Sequence, residues 1–147
     1  MTRNKLLVAA LALGAACGLA GTVGVLPAVG QSSPPSSPVI LGRTARILYR
    51  GAVARTVVYV VCQPGDFAQL SISLTERSGS GIASGAGFVD SVSCTGQIQT
   101  ITVPVTAFGK RFVKGTAFGQ ATLFDCGDFF CGESNDSHSV ELKTRHK

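Results

Sequence analysis

At 147 residues, 45% hydrophobic and 14% charged, the chain has the usual size of one globular domain with a core of its own. Its formal charge of +5 falls to +3 when Arg3 and Lys5 leave with the N-terminal leader. That mildly basic balance does not by charge alone make a nucleic-acid binder, and no nucleic acid is expected as a partner.

Residues 1–30 read as an export signal. Arg3 and Lys5 give a positive start, an apolar run follows from Leu6, and Ala28-Val29-Gly30 offers small residues where a signal peptidase reads. A retained anchor fits less well, because Gly14, Gly18, Gly21, Gly24 and Pro27 interrupt the run and no basic flank follows. Cys17 is not placed for lipidation, since Leu13 sits one position too far upstream. Cleavage before Gln31 leaves a chain with no further membrane-spanning segment, folding where disulfides persist. Residues 31–38, Gln-Ser-Ser-Pro-Pro-Ser-Ser-Pro, form a solvated tether, and residues 39–147 one β domain.

Within the domain the dominant period is two. Seven strands are predicted near 39–49, 52–62, 67–77, 82–94, 97–105, 116–126 and 137–144. Val58, Val60 and Cys62 alternate with Val57, Tyr59 and Val61, a strand apolar on both faces and therefore central. Leu70, Ile72 and Leu74 alternate with Ser71, Ser73 and Thr75, one face buried and one wet. Ile101, Val103 and Val105 share a face, but Pro104 puts their strand at a sheet edge or ends it. Turns fall at Pro64-Gly65-Asp66, Ser78-Gly79-Ser80-Gly81 and Thr95-Gly96. No segment carries a helical stripe. The pattern predicts an all-β, immunoglobulin-like two-sheet sandwich with two disulfides, a small barrel being the alternative.

Cys62, Cys94, Cys126 and Cys131 form an even set with three possible connectivities. The loop between Cys126 and Cys131 is short enough to close across a hairpin tip, and Cys62 and Cys94 would then join two strands. Zinc does not fit, for want of a Cys-x-x-Cys pair and with both histidines near the chain end. No cofactor is expected. Nor is an enzyme: paired cysteines leave no thiol nucleophile, no Gly-x-Ser-x-Gly elbow occurs, and His138 with Asp136 and some serine is a coincidence of composition.

Two loop clusters are candidate binding surfaces. Phe129 and Phe130 occupy the Cys126–Cys131 loop, amid Asp125, Asp128, Glu133 and Asp136. Either one ring turns over the end of the core, or both stay exposed as a contact pair. The carboxylates suggest a calcium loop in number but not in spacing. The second cluster is Lys110, Arg111 and Lys114 between Phe108, Phe112 and Phe118, flanked by Thr-Ala-Phe-Gly at 106–109 and again at 116–119. Its phenylalanines are expected to anchor a solvated loop to the core. If the last three strands run up and down, these loops lie at opposite ends, one basic and one acidic. Such a dipolar domain could orient at an anionic surface or associate head to tail. The small residues Ala83 to Gly87 would either leave room for a cleft or mark a weakly specified strand.

Val61-Cys62-Gln63-Pro64-Gly65, the run Leu70 to Arg77, Val92-Ser93-Cys94-Thr95-Gly96 and the run Phe112 to Ala117 resemble small secreted actinobacterial proteins of uncharacterised function. This resemblance implies an exported β-sandwich with two disulfides and no particular activity. The Cys-x4-Cys loop before the last strand is also similar to that of neocarzinostatin-type carrier apoproteins, although the other cysteines are spaced differently. Size and cysteine number are shared with secreted subtilisin inhibitors, without their reactive-loop context. The reading is a secreted, non-catalytic interaction or structural module for an extracellular protein or cell-envelope component. A small-molecule carrier and a protease inhibitor are the alternatives.

Overall fold

The computed structural model describes residues 37–144; the expected export signal, 1–30, and all but the last two residues of the expected tether, 31–38, lie outside the described residues. Seven strands form: β1 (Val39–Leu48), β2 (Val53–Val60), β3 (Phe67–Ser78), β4 (Gly81–Ser93), β5 (Gln99–Gly109), β6 (Gly115–Cys126) and β7 (Cys131–Lys143). Their order around the sheet is β1-β2-β5-β4-β3-β6-β7, and it closes into a barrel.

The expected two-sheet sandwich is therefore corrected. Two seams join what would have been separate sheets. The β3–β4 hairpin is paired from Phe67↔Ser93 to Ser78↔Gly81, and β7 meets β1 in a parallel pair, Thr44↔Glu141 to Arg46↔Lys143. The inward faces of β4 and β6 explain why the wall can curve so tightly. A Cβ on Gly119 would lie 2.7 Å from methyl groups of both Leu41 and Val140, and one on Gly87 would lie 2.9 Å from Val103 Cγ1. The interior is filled by inward side chains, among them Leu41, Leu70, Leu74, Val103 and Leu123, all fully buried, and at the two glycines the space is taken by neighbouring strands, β5 beside Gly87 and β3 and β7 beside Gly119. Ala83, Gly85 and Gly87 are buried on the inner face, and a Cβ on either glycine would meet the backbone of β5.

Three sequence expectations shift at strand level. β5 runs to Gly109 because Thr106–Gly109 pair with Ala83–Ala86. Pro104 is internal, opposite Arg55 of β2, and tolerated because the β4–β5 ladder ends at Ala86↔Thr106, short of it. β7 begins at Cys131, six residues early, held by residue-for-residue pairing with β6 from Cys126↔Cys131 to Gly115↔Leu142. β2 is flanked on both sides as expected, but Tyr59 on its outer face is exposed.

Alternating strand direction sorts the connections. The β1–β2, β3–β4 and β5–β6 connections and the end of β7 lie at one end of the barrel; the others, with the start of β1, lie at the opposite end. Phe112, 2% exposed, closes the first end from within the β5–β6 loop. At the second end the Cys62–Cys94 disulfide links the segments just beyond β2 and β4, so it joins two connections and not two strands. The Cys126–Cys131 disulfide closes the β6–β7 tip as expected. The expected solvated tether is corrected at its last two residues: Ser37 is buried and its Oγ donates to Asp125 Oδ2 at 2.7 Å, and the Pro38 carbonyl accepts the Val61 N–H at 3.1 Å, which fixes the entry of the chain there.

Candidate functional site: two charged ends

Phe129 and Phe130 are 87% and 71% exposed. The packing that turned one ring over the core is corrected. The Cα atoms of Cys126 and Cys131 stand 4.0 Å apart, and Gly127 N–H donates to the Phe130 carbonyl at 2.9 Å. So tight a loop cannot fold back, and the neighbouring inward positions, Asp125 and Gly132, offer no apolar seat. The surrounding carboxylates do not converge on a cation. Asp125 accepts from Ser37, Glu133 accepts from Asn135 Nδ2 at 2.9 Å, and Asp136 accepts the Leu41 N–H at 2.8 Å.

At the other end Lys110, Arg111 and Lys114 are exposed. Only Phe112 anchors their loop; Phe108 and Phe118 stay 59% and 56% exposed, against expectation. The echoed tetrapeptides have a geometric counterpart. Phe118, Thr75, Ser84 and Phe108 form one cross-strand row over β6, β3, β4 and β5, so both rings stand on the outer wall at the same level. Arg50, Arg77 and Lys143 belong to this end too, whereas Asp66 and Asp128 lie in the loops of the opposite one. β5 and β6 are separated by β4 and β3, yet their alternating directions still place the basic and acidic loops at opposite ends, as the sequence suggests.

Buried beneath the basic loop, Glu76 is 2% exposed and accepts the Val113 N–H at 3.2 Å on both oxygens. Burial pushes its pKa above the ordinary carboxylate value, and the Val113 hydrogen bond works in the opposite sense. A raised folded-state pKa means that this group's stabilising contribution is complete below the ordinary glutamate range. It is lost as pH rises through the folded value. Glu76→Gln keeps an oxygen for Val113 and removes the titration. The stability difference between wild type and Glu76→Gln is therefore expected to move in the variant's favour as pH rises upward from the ordinary glutamate range. Urea midpoints across that range check it, and a constant difference would refute it.

A third feature escaped the sequence reading. Below their short parallel pair β1 and β7 diverge, leaving a cleft of about 710 Å3 lined by Arg43, Tyr59, Asn135, Asp136 and His138 among others. His138 Nδ1 lies 3.4 Å from Asp136 Oδ1, as i, i+2 spacing on one strand face allows. A Ser–His–Asp site would need a hydroxyl on the other ring nitrogen. His138 Nε2 is buried and has no hydrogen-bond partner among the described residues.

No protein-family model matches the chain, and no curated protein matches it significantly. Among the described residues no helix is long and apolar enough to cross a membrane. Two disulfides are the kind of crosslink that persists in oxidising compartments.

Proposed function

We propose that the chain is a secreted, non-catalytic interaction module that engages an extracellular protein or cell-envelope component through its disulfide-closed tip. The observation that carries this reading is the exposure of two adjacent phenylalanines on a loop too tight to retract them. Rigid exposed rings lose little conformational freedom on contact, which is why aromatic side chains dominate interface energetics. No cofactor and no nucleic acid enters the reading.

The test is co-sedimentation with isolated actinobacterial cell envelopes. Wild type is expected to sediment, and Phe129→Ser with Phe130→Ser is expected to stay in solution at an almost unchanged Tm. Equal sedimentation of both proteins would remove the rings as the contact, and failure of wild type to sediment would overturn the envelope reading. A tight exposed loop carrying phenylalanine also favours a second reading, a protease-inhibiting loop, which an assay against a chymotrypsin-like protease decides. A native mass equal to residues 31–147 less four hydrogens would support export with signal cleavage.

A further inference from the structure

We propose that the outer wall of β7, β1 and β2 carries a binding site for a phosphate group, built on Arg46, Arg55 and Lys143. Register puts the three residues side by side. Arg46 is the direct partner of Arg55 in the antiparallel β1–β2 pair and of Lys143 in the parallel β1–β7 pair. All three are exposed on the outer face. Strands paired in this way lie about 4.8 Å apart, and like charges directly opposite one another destabilise a sheet.

The row is weakly compensated. Among the described residues the one carboxylate paired to it is Glu141, at 3.0 Å from Lys143 Nζ, in a pair whose side chains are both more than half exposed. Such a pair contributes little and rearranges readily. Arg46 and Arg55 have no carboxylate within salt-bridge distance among the described residues. The same three cations line a single groove of about 430 Å3, together with Thr44, Thr102 and Thr144. Guanidinium forks match the oxygen geometry of phosphate bidentately, and threonine hydroxyls supply further donors. A dianion in the groove would neutralise the row where the protein's own carboxylates do not.

The location adds a consequence. Arg46 and Lys143 belong to the three-residue parallel pair that closes the barrel. A phosphate bridging them would staple the seam, and a ligand that binds only the closed form stabilises it by mass action.

Thermal melts of the full-length mature protein in inorganic phosphate, against chloride of equal ionic strength, test the proposal. Wild type is expected to show a saturable rise in Tm of several degrees in the low-millimolar range, below concentrations at which phosphate stabilises proteins generally. Arg55→Gln is expected to melt higher than wild type in phosphate-free low-salt buffer, because a repulsion is removed, and to lose the phosphate response. Lys110→Gln, in the separate basic loop, is expected to keep it. Equal responses to phosphate and chloride, or a phosphate response undiminished in Arg55→Gln, would overturn the site. Vesicles of phosphatidylglycerol and of phosphatidylcholine separate the sources. Arg55-dependent binding to the former alone assigns a lipid headgroup, and a phosphate response without vesicle binding assigns a soluble phosphate.

Discussion

Replacing Phe112 by alanine is expected to destabilise the domain by about 3–5 kcal/mol, the usual range for deleting a buried phenylalanine. A domain of this size is stable by only about 5–15 kcal/mol in total, so the loss would be a large fraction of the whole. The ring is 2% exposed and packs directly over Gly85, where a Cβ would stand 2.9 Å from its Cζ. Its backbone N–H donates to the Gly51 carbonyl at 2.9 Å, and the next N–H donates to Glu76. The side chain thus packs the end of the barrel while the backbone ties the β5–β6 loop to the β1–β2 connection and to β3. Phe108→Ala and Phe118→Ala, on the outer wall, are the controls and should change stability by no more than about 0.5 kcal/mol. Chemical denaturation of the three variants checks the contrast, and equal effects would show that Phe112 does not close the barrel.

The second large effect concerns the disulfides. Removing Cys62–Cys94 by paired serine substitution is expected to cost about 4 kcal/mol and removing Cys126–Cys131 about 2 kcal/mol, from the chain entropy of the loops they close. The inequality follows from sequence separations of 32 and 5. Burial points the same way, since Cys62 is 1% exposed and Cys131 lies on the surface. Two serines in place of the inner pair would also put hydroxyls where sulfur now packs. Urea unfolding of both double variants measures the order, and the reverse order would mean that strain or residual structure outweighs loop entropy.

The strands were legible in the sequence because their inner faces alternate strictly; Leu70, Ile72 and Leu74 could take no other role. Closure into a barrel was not legible. At Gly87 and Gly119 neighbouring strands come too close to leave room for a side chain, but a glycine in a strand reads equally well as slack. The first half of β7 was missed because its inward positions are Gly132, Ser134, Asp136 and His138, which carry no apolar alternation; β6 holds them in the sheet. The loops follow the same division. Lys110, Arg111 and Lys114 declare themselves by composition, and the tightness of the Phe129–Phe130 loop could be read from cysteine spacing. The row of Arg46, Arg55 and Lys143 could not, since residues so far apart in sequence become neighbours only through register.

The parallel contact between β1 and β7 has a mechanical side. The chain enters β1 at one end of the barrel and leaves β7 at the other, and the two strands point the same way. A pull between residues 38 and 144 would therefore load their three matched positions together, along the strand axes. It would not peel them apart one at a time. Held by its two ends, the domain would resist in shear, and the first event under tension would be the sliding of β1 past β7.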